Sequence, residues 1–414
     1  MENKHLKIFK LVQHTPMWHF QSEEIGCCLR ASEVKPKLDR FIAEKSGKPY
    51  SALNYKMSFI PSGKKKIIND SFFNQKGKKV NKFPLYFGNI KENTKKLILY
   101  PSDKATIEMR IFSLDTALLT EICEYINAFF ACTSFGTRQD KGFGFFYPKD
   151  IEFNSSDASY CFDVPDIQGR FEELFNYIHY FHKMIRSGIN ERGVYYKSFM
   201  FHYARECGEN WDKPVIRHHF QLFNPVYKHI CGEPSTIAHI QDKFTARIEM
   251  IKDYSRLQNE EKYRNSHWIF RDALGLSNTQ QWLAYNDTIS IESANSNIKR
   301  FKSPITYRPV PMEGGRYRVF LYLSPIHPDY KEASFIIKNK PNIIKNKPKY
   351  GTPQLPMTDM KIYNKFSLDD YLDYVLNYCY SVNSISSNGR NSYVDYIFKK
   401  KDSKVNFRKI NKSI

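Results

Sequence analysis

The sequence has 414 residues, too many for one ordinary domain and enough for two that each bury a core. Its 63 Lys and Arg against 43 Asp and Glu leave a net charge of +20, which points to a polyanionic partner such as RNA, DNA or an anionic membrane surface. No apolar run approaches the roughly 20 residues that span a bilayer, and eight cysteines (Cys27, Cys28, Cys123, Cys132, Cys161, Cys207, Cys231, Cys379) without a CxxC pair predict reduced thiols rather than a disulfide framework.

The charged start, Met1 to Lys10, reads as the lead into a strand rather than a signal peptide. Leu6 to Val12 alternates as a strand does and stops at His14-Thr15-Pro16, where proline cannot continue a ladder. Ser32 is placed to cap a helix with Pro36 in its first turn and Leu38, Phe41 and Ile42 at helical spacing, and Lys35, Lys37 and Arg40 would decorate its start and outer face. Leu53 to Ile60 and Ala105 to Phe112 alternate again. Between them, over about residues 61–104, lies an insertion crowded with lysines that include Lys64, Lys65 and Lys66. Its apolar runs, Phe83 to Phe87 and Lys96 to Tyr100, are expected to pair as a short hairpin. A basic finger on a sheet suits phosphate tracking, and a solvated loop would carry the same composition. Leu114 to Phe130 reads as an amphipathic helix.

Ser134 to Phe146 follows, a turn-to-strand junction with Gly136, Gly142 and Gly144, two cations (Arg138, Lys141) and a run of phenylalanines from Phe143. Glycines permit close backbone approach, and loop N–H groups together with the cations could meet phosphate as an anion-binding nest. The structural alternative is a flexible turn before a buried strand at Phe143 to Tyr147. The order strand, helix, strand, insertion, strand, helix, loop, strand is the βαββαβ pattern of a ferredoxin-like domain, here residues 1–150, a fold that RNA-binding modules often use.

In residues 151–414, Gly169 to Ser187 is expected to be a connector helix closed by Gly188. A second βαββαβ is then readable. It has a first strand at Val215 to Phe223, helices at Ile237 to Leu257 and Trp268 to Leu283, the second broken by Ser277 near Leu274-Gly275-Leu276, a hairpin of Ile305 to Val310 with Tyr317 to Leu323 around Gly314-Gly315, a helix at Leu368 to Tyr380 and a last strand at Tyr393 to Phe398. The tandem repeat from Ile336 to Pro348 is expected to be a surface loop, and the tail Lys399 to Lys404 is expected to be basic and frayed. The fold class expected is therefore α+β, tandem ferredoxin-like (RRM-like) domains with insertions.

The sequence carries no P-loop, dinucleotide fingerprint or Ser/His/Asp signature. His202, Cys207, His218, His219, His229 and Cys231 offer zinc-type donors at spacings that match no compact zinc motif; no metal or other cofactor is expected. His14, at a strand end, is either structural or a base for a 2′-hydroxyl proton.

Thr133 to Gly144 resembles the glycine-rich signature of the CRISPR-associated RAMP superfamily, whose type III-B members carry Gly-Gly-x-Gly-x-Arg-x-x-x-Gly-Phe-Gly after the second helix of a ferredoxin-like domain. Gly136, Arg138, Lys141, Gly142, Phe143 and Gly144 fall on it, while Thr133 and Ser134 replace the leading glycines and Asp140 stands where a cation is common. Thr15-Pro16-Met17 with Arg30 to Phe41, and Phe270-Arg271 to Leu276 with Ser303-Pro304-Ile305, are similar to further parts of the same subunits. The resemblance covers most of the chain and is closest to the first RAMP subunit of the Cmr module. It implies a non-catalytic, cytoplasmic subunit of a type III effector in antiviral defence. The implied partners are guide RNA (crRNA), target RNA and other effector subunits, with no membrane. The RNA-binding residues expected are Lys35, Lys37, Arg40, Lys64, Lys65, Lys66, Gly136, Arg138, Lys141, Gly142, Phe143, Gly144 and Arg271. The alternatives are a metal-independent, guide-processing endoribonuclease using His14, a target-cleaving aspartate on the finger (Asp70 or Asp103), and a generic RNA-binding module outside CRISPR biology.

Overall fold

A computed structural model describes residues 3–19, 21–84, 96–101, 103–149, 151–191, 194–211, 266–276, 279–282, 287–293, 301–340, 343–344, 347–348, 357–382 and 407–410. The first strand–helix set is the one expected: β1 (Leu6–Gln13), α1 (Ala31–Ser46), β2 (Lys56–Ser62), β3 (Thr106–Phe112), α2 (Thr116–Cys132) and β4 (Phe146–Pro148). The strands form an antiparallel sheet in the order β2-β3-β1-β4, with Leu11 opposite both Ile107 and Pro148. Alternation decides the faces. Ile107, Met109 and Ile111 are buried with Leu11, while Lys10 and Arg110 are exposed. Val34, Leu38 and Ile42 of α1 and Leu119, Ile122, Ile126 and Phe129 of α2 complete this core.

Helix ends follow local chemistry. The Asp115 carboxylate accepts the Ala117 and Leu118 N–H groups at 2.9 and 3.1 Å and so caps α2. Helix α1 begins before the expected cap, at Ala31, so Ser32 lies inside its first turn and Pro36 one turn further in.

Within the insertion, Lys96–Leu99 pairs not with Phe83 to Phe87 but with Met17–His19 on one side and Lys66–Ile68 on the other. Leu97, Ile98 and Leu99 are buried there, and the Gln13 side chain donates to the Ile98 carbonyl and accepts from Tyr100 N–H, both at 2.9 Å. Phe83 and Pro84 form no strand, and the rest of that run lies outside the described residues. The finger continues as a hairpin of Ser71–Phe73 with Lys79–Asn81.

The same strand order recurs further along the chain. Elements β5 (Tyr160–Val164), α3 (Phe171–Arg186), β6 (Ile305–Pro311), β7 (Tyr317–Leu323), α4 (Leu368–Val382) and β8 (Arg408–Lys409) follow one another, and their strands form a sheet in the order β6-β7-β5-β8. Helix α3 therefore follows the first strand of this second set. The expected elements at Val215 to Phe223, Ile237 to Leu257 and Tyr393 to Phe398, and the tail Lys399 to Lys404, lie outside the described residues. Trp268 to Leu283 is not a helix. It holds a short strand at Trp268–Ile269, a 3-10 turn at Arg271–Leu274 and a strand at Thr279–Trp282, because Gly275 takes φ 115° and Thr279–Trp282 pairs with Asp287–Ser293. The repeat is not a loop either: Ser334–Lys340 is a strand between two others, and Ile343–Ile344 pairs with Lys347–Pro348.

The chain separates into two compact units. One comprises Met1–His182, Ile305–Leu323 and Cys379–Ile414 and contains both four-stranded sheets; the other comprises Lys183–Pro304 and Ser324–Tyr378. The second unit holds a five-stranded sheet with buried Ile291, Phe335, Met360 and Ile362. Among the described residues, no helix is long and apolar enough to cross a membrane.

Candidate nucleic-acid interface

The glycine-rich loop leaves α2 and returns to the sheet through a neck in which Phe135 N–H donates to the Gly144 carbonyl at 3.0 Å and Gly144 N–H to the Pro16 carbonyl at 2.9 Å. Thr15, fully buried, bridges the far side: its hydroxyl donates to the Gly142 carbonyl at 2.7 Å and accepts from Phe145 N–H at 2.9 Å. Two glycines are dictated by space as well as φ. Gly142 sits at φ 88°, where a Cβ would lie 2.8 Å from Pro309 Cδ, and Gly144 at φ 66°, where a Cβ would overlap the Phe135 carbonyl. Arg138 also takes a left-handed backbone, φ 62°.

The side chains divide into inward and outward sets. Lys141 is buried, its ammonium 3.2 Å from His182 Nε2 and 5.2 Å from the Tyr307 ring centroid. Phe143 is buried and stacks on Phe175 at 3.6 Å. Arg138 donates to the Pro84 carbonyl at 3.3 Å with its guanidinium 5.3 Å from the Trp18 ring. Lys37 ties α1 to the loop through Gln139 Oε1 at 2.7 Å and the Ser134 carbonyl at 3.2 Å. Glu33, one turn earlier, accepts Gly136 N–H at 2.9 Å, so a carboxylate occupies the amide that a nest would offer to an anion.

Of the remaining expected residues, Lys35 is held by Asp39 and the Leu53 carbonyl, each at 2.7 Å. Arg40 is exposed, 5.7 Å from the Tyr50 ring. Lys64 and Lys66 are exposed on the finger, whereas Lys65 donates to the Ser22 carbonyl at 2.6 Å and to that of Glu24. Arg271 belongs to the second unit and is buried 3.8 Å from the Asp272 carboxylate.

His14 N–H donates to the Phe145 carbonyl, its ring lies 5.2 Å from the Phe145 ring, and burial pushes its pKa down to about 4. Asp70 accepts from the Ser71 hydroxyl and Asp103 lies beside Lys104. Of the histidine–cysteine set, His202 stacks on Tyr378 and Cys207 ends the helix Phe199–Glu206; His218, His219, His229 and Cys231 lie outside the described residues. Among the described residues, no group of three or more potential ligands could hold a metal ion.

Four contributors escaped the sequence reading: Thr15, Glu33, Phe175 and Arg308. Arg308 is fully buried and donates to the Ala131 carbonyl at 3.0 Å, to the Cys132 carbonyl and to Ser134 Oγ. An arginine inside the apolar strand Ile305–Pro311 was the available signal, since such a charge must find acceptors.

Residues 4–189 match the family model of the Cmr1 N-terminal domain, and residues 195–403 match that of the Cmr1 C-terminal domain. The chain belongs to the Cmr1 family. Membership makes it a subunit of a type III-B CRISPR complex, as the resemblance at the glycine-rich loop implied. In this Cmr1-family chain the N-terminal match takes in the whole first sheet together with β5 and α3. It also sets aside a generic RNA-binding module outside CRISPR biology. No curated protein matches the chain.

Proposed function

We propose that this subunit binds the guide RNA of its effector and performs no catalysis of its own. In this reading the RAMP modules span residues 1–150 and 151–414, and the complex works in the cytoplasm. One observation carries the reading. Lys64, Lys66, Lys76, Lys78 and Lys82 are all exposed on the finger, and none of them joins an ion pair among the described residues. Like charges crowded on one projection repel one another, and a polyanion laid along them releases its counterions on binding.

The glycine-rich loop then acts as a stiff shelf. The N–H groups of Phe135, Gly136, Lys141, Gly142, Gly144 and Phe145 are already engaged within the protein, so phosphate is met by side chains at the rim, Arg138 and Arg40, rather than by the backbone. Such contacts position a strand without reading it; guide–target pairing supplies the sequence specificity and brings target RNA to the complex.

The test is the dependence of single-stranded RNA affinity on salt. The logarithm of affinity should fall steeply with the logarithm of salt concentration, and changing Lys64, Lys66, Lys76 and Lys78 to Ala should flatten that slope while leaving the melting temperature within about a degree or two, because exposed charges contribute little to stability. A flat response in the parent would overturn the reading.

A further inference from the structure

Helix α2 ends without the usual means of satisfying its last carbonyls. Thr133 is extended at φ −116° rather than left-handed, and the last turn carries no basic residue. Arg308 of β6 supplies both the donors and the charge. Its fork reaches the carbonyls of Ala131 and Cys132 and the hydroxyl of Ser134, the first loop residue. Its guanidinium also lies 5.2 Å from the ring of Phe145, at the other side of the loop neck. A cation here is favoured by the helix dipole as well as by the carbonyls, and only a planar fork addresses several acceptors at once. The flanking residues of β6 meet the same loop: Tyr307 lies under Lys141, and Pro309 bounds the space beside Gly142.

We propose that Arg308 is the positioning residue of the glycine-rich loop. From the second sheet it clamps the end of α2 and both sides of the neck, and so fixes the direction in which Arg138 is presented. The inference rests on the RNA-binding reading only for its purpose; its geometry can be tested without RNA.

The experiment follows amide hydrogen exchange in the full-length chain, comparing Phe135 and Gly144 in the neck with Phe9 and Met109, paired across β1 and β3. Arg308→Met keeps the stem but removes the fork. The neck amides should exchange at least about tenfold faster while Phe9 and Met109 change far less. Parent-like rates at the neck would overturn the proposal, as would equal acceleration everywhere, which is plain destabilisation. Arg308→Lys keeps the charge and guards against a variant that does not fold; it should give intermediate neck rates, and parent-like rates would again overturn the proposal. With single-stranded RNA, Arg308→Met should bind severalfold more weakly at an unchanged salt slope. A slope reduced by about one would mean that Arg308 itself meets a phosphate, and unchanged affinity with a loosened neck would remove its positioning role. If the parent binds no RNA, the functional reading fails while the exchange measurement still decides the geometry.

Discussion

Glu33 holds an amide that the glycine-rich loop would otherwise present outward, accepting Gly136 N–H at 2.9 Å with the Lys37 ammonium 3.3 Å away. A carboxylate in that place repels an incoming phosphate and neutralises part of the Lys37 charge. Glu33→Gln keeps an acceptor for Gly136 and removes the negative charge, so RNA affinity should rise about twofold to tenfold, with a steeper salt slope. Weaker binding, measured by titration at two salt concentrations, would show that Glu33 serves only to shape the loop. The residues of this site were legible by type and not by direction. Lys141 and Phe143 were expected to meet RNA because nothing in Gly-Thr-Arg-Gln-Asp-Lys-Gly-Phe-Gly shows that His182 and Phe175 take them up, about forty and thirty residues further along.

Among the elements, the first sheet was readable because β2 and β3 turn alternate residues towards the core and towards solvent, which is the condition for alternation. Strand β5 was missed for the converse reason: it is buried along nearly its whole length and shows no period. Trp268 to Leu283 was misread as a helix because its apolar spacing fits one, whereas the conformation of Gly275 and the pairing of Trp268–Ile269 with the distant strand Met357–Ile362 decide the matter. The coupling between the loop and β6 makes a measurable difference between two glycines. Gly142 at φ 88° faces Pro309, while Gly169 at φ 71° faces open space. Both Gly142→Ala and Gly169→Ala should cost about 1 kcal/mol for the left-handed backbone. Gly142→Ala should cost a further 1–3 kcal/mol for displacing β6. Equal melting temperatures for the two variants would mean that the loop is not seated against β6.

For the whole molecule, burial sets an acid limit. The imidazoles of His14, His19 and His202 are all pushed below their usual pKa by burial, His14 to about 4. The unfolded chain therefore binds protons that the folded chain refuses. His14 costs nothing above about pH 6.5, and stability falls as pH drops from there towards 4, by at most about 1.4 kcal/mol per pH unit from this group. Urea midpoints measured from pH 8 to pH 4 should fall on the acid side, and His14→Phe should flatten part of that fall; an unchanged profile in the variant would exonerate His14.

The placement of Arg308 also bears on synthesis. The first sheet closes on residues 6–148 alone, so it can fold once that stretch has left the ribosome. Arg308 follows its Ser134 partner by 174 residues, which at 5–20 residues per second is a delay of roughly 10–35 s. During that interval the nascent chain has its first sheet but not the clamp on its glycine-rich loop. Truncated products that end before residue 308 would keep their lysine-rich finger and lack the Arg308 contacts to Ala131, Cys132 and Ser134.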